Sequence, residues 1–175
     1  MKEYEFTLKF ALKDTDYDPA EYVEHLANTG CDDALIGVGA KGRIGLQFNR
    51  KSKNAAQAII SAITDVKQAI PNAVLLEASP DFVGISDIAE LLSFSRQNMQ
   101  KLLRNHWMTF PAPVHEGKSA IWHLAKVLDW FKSNQQRDVD TRLVEIAEIT
   151  QQINVTKEAQ QVDQAVQSQL RHLLA

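Results

Sequence analysis

Tyr4, Phe6, Leu8, Phe10 and Leu12 occupy every second position near the start of the chain, alternating with Glu3, Glu5, Thr7, Lys9 and Ala11. A period of two marks a strand with one face buried and the other wet. Such a strand requires partners in a sheet and a layer over its apolar face, and the next residues supply both. Asp14 to Asp18 reads as an acidic turn, and Pro19 suits the first turn of a helix running to about Asn28 and stopped by Gly30. Residues 34–38 read as a second strand and lead through glycines to a third over 43–48, where Ile44, Leu46 and Phe48 point one way. Asn54 can cap a longer helix in which Ile59, Ile63, Val66 and Ile70 recur at helical spacing. Pro71 and Asn72 end that helix, and residues 74–76 form a last short strand. The order is β-α-β-β-α-β, the ferredoxin-like split motif, with two helices covering one face of a four-stranded antiparallel sheet. Residues 1–79 are therefore expected to form an α+β domain. The scaffold hosts sensing, assembly, RNA binding and catalysis, so it names no function. Sensing of a small-molecule or protein effector, or assembly of protomers, is its expected role here.

From Ser79 the texture changes. Trp107, Trp122 and Trp130 are expected landmarks of a second core, and residues 80–134 a second domain. Charge shifts too. Residues 81–137 carry seven Lys and Arg against five Asp and Glu, whereas 1–80 carry nine against eleven and 138–175 three against six. A modest positive field therefore sits in the middle of a chain whose formal charge is -3. That overall balance excludes a histone-like coating protein.

Within this middle segment Ser86 is read as the N-cap of a short helix with Ile88, Ala89 and Leu92 inside. Phe94 plugs the turn and Ser95 caps a second helix over 95–105. With successive residues 100° apart, Met99, Leu102 and Leu103 share one face. The opposite arc carries Gln97, Lys101 and Arg104, flanked by Asn98 and Gln100, with Arg96 at the N-terminal edge placed for a phosphate. Amides pair with adenine, and Arg and Lys with guanine or phosphate, so this arc has the chemistry of a base-edge reader. Phe110-Pro111-Ala112-Pro113 then reads as an extended lead-in, 115–118 as a hairpin tip around Gly117, and 124–131 as a closing helix.

Residues 81–132 resemble the winged helix-turn-helix of the MerR-like and excisionase (AlpA-type) DNA-binding proteins. In that family a helix pair is followed by an FP-P wing, then a Trp before a final helix that ends in a Trp/Phe pair; Trp122, Trp130 and Phe131 stand in those places. The turn position that the family gives to glycine is Ser93 here. The resemblance implies sequence-specific binding of double-stranded DNA by a bacterial or phage-type transcriptional regulator. It also implies a recognition helix in the major groove and a wing over 111–120, whose His115 and Lys118 reach phosphates or the minor groove. The contacting residues would be Ser95, Arg96, Gln97, Asn98, Gln100, Lys101, Arg104, His115 and Lys118. The alternative is a protein-interaction module, an adaptor or antitoxin-like partner, using the helix pair and the C-terminal helix.

The tail, 135–175, shows two apolar stripes: Val139, Leu143, Ile146 and Ile153, then Ala159, Val162, Val166 and Leu173. Asn154-Val155-Thr156 is expected to interrupt them, with Thr156 as a fresh cap. Narrow stripes of this kind pack on their own domain or on a twin helix, so a homodimer is expected.

Other signals point away from catalysis. The single cysteine, Cys31, excludes a disulfide framework, and Asp32 and Asp33 beside it disfavour a thiolate. Gly37, Gly39 and Gly42 match a dinucleotide string, but a strand follows where a helix is needed, so they are assigned to a hairpin. His25, His106, His115, His123 and His172 have no metal-ligand spacing. Asp14, Asp16 and Asp18 lack the glycine and distal glutamate of a calcium loop. His115-Glu116 lacks a pocket to tune it as a catalytic pair. No enzyme activity, cofactor or metal is expected. The N-terminus lacks the apolar core of a signal peptide, and no apolar run spans a bilayer, so a cytoplasmic location without membrane contact is expected.

Overall fold

Every second residue of β1 (Lys2–Ala11) from Tyr4 to Phe10 is buried. The strand pairs antiparallel with β3 (Arg43–Ser52), which sets Leu8 opposite Leu46, Phe10 opposite Ile44 and Phe6 opposite Phe48. Like residues thus meet on one face, and the Phe6 and Phe48 rings stack with centroids 5.2 Å apart. β2 (Ala34–Val38) pairs with β3, and β4 (Val74–Ser79) with β1. The sheet order is β2-β3-β1-β4, antiparallel throughout. The computed structural model describes residues 1–13, 22–38, 41–135, 138–171, 173 and 174. The acidic turn at Asp14, Asp16 and Asp18, Pro19, Gly39 and His172 lie outside them.

Two strands run further than their apolar alternation predicts. β3 continues past Phe48 because Arg50 and Ser52 pair with Tyr4 and Lys2 through the backbone ladder. β4 continues past Leu76 through Glu77, Ala78 and Ser79, where Glu77 also pairs with Lys9 at 3.0 Å. Polar and small residues carry these extensions, so hydrophobicity gave no sign of them. The inward position at Arg50 takes a cation instead: its guanidinium donates to Asp33 at 2.8 Å, to Asp65 at 2.6 Å and to the Gly30 carbonyl at 2.6 Å. Burial opposes the charge, but the two carboxylates outweigh it and hold the Arg50 pKa above its usual value.

α1 (Val23–Asn28) and α2 (Ala55–Ala69) bear on this sheet. Asn54 caps α2, its Oδ1 accepting the Gln57 amide at 2.8 Å. Ile59 and Val66 are fully buried, and Ala55, Ala58 and Ala62 on the same face keep the helix close to the strands.

A second core lies between β5 (Phe82–Val83), α3 (Ile85–Leu91), α4 (Arg96–Asn105), β6 (Trp122–His123) and α5 (Leu124–Asn134). The cap of α3 is Gly84 rather than Ser86: Gly84 donates its amide to Asp87 Oδ2 at 2.7 Å, an acidic-residue bond that serves the helix start directly. Trp122 and Trp130 are buried here, whereas Trp107 is 73% exposed and belongs to no core. It follows the C-cap of α4, His106, whose own ring packs edge-on against Trp130.

α6 (Thr141–Ala159) joins the two cores. Ile146 is buried in the first core, where Ile149 and Ile153 pack, and Ala147 in the second, where Leu143 and Val144 pack. The expected break at residues 154–156 does not occur. The helix runs unbroken because Asn154 points inward and spends its hydrogen bonds on other elements rather than on its own backbone. α7 (Gln164–Arg171) follows and has no buried residue.

Candidate functional site

α3 and α4 meet around Ile88, Ala89 and Met99, all buried. Ser93 makes the turn between them with φ +55°, the left-handed region. The conformation is held by the Phe94 amide donating to the Ala89 carbonyl at 2.7 Å and by the Ser93 amide donating to Glu90 at 3.1 Å. The Phe94 ring lies 5.7 Å from that of Phe131. Ser95 then caps α4, its Oγ accepting the Asn98 amide at 3.1 Å.

Met99 is fully buried and Leu102 and Leu103 half-buried, so the helix has the phase that its sequence predicts. Arg96, Gln97, Asn98, Gln100, Lys101 and Arg104 are all exposed, as is Ser95. Seven of the nine expected DNA-binding residues thus share α4 and its cap. Among the described residues, no carboxylate lies within ion-pair distance of Arg96, Lys101 or Arg104. A row of unneutralised cations and amides on a rigid helix suits an anionic, hydrogen-bonding partner.

The other two residues, His115 and Lys118, stand on a separate exposed loop. Its base is an antiparallel bridge, with Ile121 donating to the His115 carbonyl at 2.9 Å and Val114 donating to Ile121 at 2.8 Å. Trp122 Nε1 donates to the Pro111 carbonyl at 2.9 Å, and Phe110 packs edge-on against Trp122 and Trp130. These aromatics anchor the loop to α5. Among the described residues, no hydrogen bond or ion pair joins the tip to α4.

Three features escaped sequence reasoning. Trp107 and Met108, 73% and 79% exposed, form an apolar pair just beyond α4. Asp81, His123 and Asn154 form a buried chain: His123 Nδ1 lies 2.7 Å from Asp81 Oδ1, and Asn154 Nδ2 donates to Asp81 Oδ2 at 2.8 Å. Thr150 Oγ1 donates to the Pro80 carbonyl at 2.6 Å beside it. The available signal was the spacing of Ile146, Thr150 and Asn154, each four residues from the last, which places two polar groups on a buried stripe. The third feature, the Arg50 cluster, had no such signal.

Cys31 is buried, and its thiol is pushed up to about 11 by burial first and by Asp65, Asp33 and Asp32, with Arg50 opposing. Among the described residues, no group of three or more His, Cys, Asp or Glu is placed to hold a metal ion, and no helix is long and apolar enough to cross a membrane. Compared with protein-family models, curated proteins and solved structures, the chain finds no match.

Proposed function

We propose that this chain is a sequence-specific double-stranded DNA-binding protein, a transcriptional regulator of bacterial or phage type. In this reading residues 80–134 are a winged helix-turn-helix. α4 enters the major groove, with Gln97, Asn98, Gln100, Lys101 and Arg104 at base edges and Ser95 and Arg96 at the phosphates. Residues 111–120 are the wing, His115 and Lys118 reaching the flanking backbone. Residues 1–79 are a ferredoxin-like domain that senses or assembles.

One observation carries the reading: the outward face of α4 holds only amides and unpaired cations, with neither an acidic nor a large apolar side chain. Because the chain as a whole is acidic, non-specific affinity should be low and useful occupancy must come from base contacts. A homodimer reading paired half-sites fits this demand, although α6 spends its apolar stripe inside one chain.

Selection of bound fragments from random duplex DNA by the full-length protein tests the proposal. A recurring motif, bound with an affinity that falls linearly on a log–log plot against salt, is the expected result. The exposed Trp107 and Met108 favour a second reading, a protein-interaction module of adaptor or antitoxin type. Binding through such an apolar surface would barely respond to salt, and no DNA motif would emerge.

A further inference from the structure

Phe82 and His123 face each other across the β5–β6 ladder, their rings 5.1 Å apart. They form one wall of an apolar groove of about 970 Å³, whose other wall is the end of α6 and α7, with Val155, Val162, Val166 and Leu170. Most of its surface is apolar, and its size is that of a site for a small organic molecule.

His123 brings to this groove a ring nitrogen, Nε2, that makes no hydrogen bond to any described residue. The His123 side chain is 9% exposed, and its Nδ1 meets Asp81, which is fully buried. Asp81 accepts from Asn154 through its other oxygen, and a carboxylate only accepts, so Nδ1 carries the proton. Asn154 is itself saturated by the Ala78 peptide. Nε2, on the far side of the ring from Asp81, has no hydrogen-bond partner among the described residues, yet it is not sealed from solvent. The Asp81–Asn154 chain therefore fixes one ring nitrogen of His123 at the wall of a groove whose surface is mostly apolar.

The geometry points to a binding site for a small neutral molecule with an apolar body and one hydroxyl, alcohol or phenol, hydrogen-bonded to His123 Nε2. Charge selects the neutral head over a carboxylate. Asp81 lies behind the ring, and Glu158 and Asp163 line the groove against one cation, Arg171. The site is independent of the DNA-binding reading and of the N-terminal domain.

Titration calorimetry of the full-length protein with octanol and with octanoate tests this. Octanol should bind saturably and octanoate about tenfold more weakly or worse. His123→Phe keeps the ring but removes Nε2 and should weaken octanol about tenfold. Because that change also breaks the bond to Asp81, Leu170→Trp serves as the second variant: it fills the groove from an exposed position, and should weaken octanol by a similar factor at unchanged melting temperature. Absence of saturable octanol binding, preference for octanoate, or octanol binding untouched by Leu170→Trp overturns the proposal. So does sedimentation equilibrium showing the groove filled by a second copy, with Leu170→Asp halving the mass.

Discussion

Asn154 holds Ala78 by both of its backbone groups: Oδ1 accepts the Ala78 amide at 2.9 Å, and Nδ2 donates to the Ala78 carbonyl at 2.8 Å. β4 is an edge strand, so the side-chain amide stands where a fifth strand would have paired. The same Nδ2 reaches Asp81, which in turn orients His123. One helix residue thus closes the sheet edge and ties it to the second core.

Asn154→Ala should consequently be among the most damaging single changes. It leaves the Ala78 amide and carbonyl and one oxygen of Asp81 buried without partners, a loss of about 3 kcal/mol in urea unfolding. A loss below about 1 kcal/mol would show that water replaces the amide freely.

Ser93 occupies a backbone region that disfavours side chains, at φ +55°. Ser93→Gly should stabilise the protein by about 0.5–1 kcal/mol, relief of strain exceeding the added freedom of the unfolded chain. Ser93→Val should destabilise it by more than that, since a β-branched residue tolerates this conformation least. Chemical denaturation of the pair checks the sign.

Lys101→Ala and Arg104→Ala should each weaken binding to the selected duplex by about 1–3 kcal/mol and relax the sequence preference at the base that each side chain reads. Because both side chains are exposed and unpaired, the unfolding free energy should stay within about 0.5 kcal/mol of the parent. Equal binding by parent and variants would remove α4 from the interface.

Tryptophan fluorescence separates the second core from the surface beyond α4. Trp107 is 73% exposed, while Trp122 and Trp130 are each 5% exposed. Trp107→Phe should abolish most acrylamide quenching at little change in stability. If duplex DNA covers the surface beyond α4, it should protect the parent protein from the quencher and leave the variant unaffected.

The Cys31 thiol, displaced upward to about 11 mainly by burial, should be inert to disulfide reagents at neutral pH until the protein unfolds. Since only the thiolate attacks, reactivity of the folded protein should rise only as pH approaches that value. Modification at the rate of an exposed thiol near neutrality would contradict its burial.

Much of the architecture was legible because it follows from local periods. The alternation from Tyr4 to Phe10 and the helical recurrence of Ile59, Ile63 and Val66 each name an element and its inner face. The wheel of α4 is of the same kind, since Met99, Leu102 and Leu103 define the buried side and leave Lys101 and Arg104 outside. The turn at Ser93 was singled out only through the family resemblance, which gives its position to glycine, and its backbone has φ +55°.

What the chain determined by itself was therefore the elements and their phases, which depend on residues a few positions apart. Only the folded molecule decided the fate of Asn154, Trp107 and Arg50. A polar residue can lie buried when a partner satisfies it, and for Asn154 that partner, Ala78, is 76 positions away in the chain. Arg50 is buried because Asp33 and Asp65 arrive from different elements, and Trp107 is exposed because none arrives at all. Local spacing can place a polar residue on a buried stripe, as it does for Asn154, but the partner that makes its burial tolerable is supplied only by the tertiary structure.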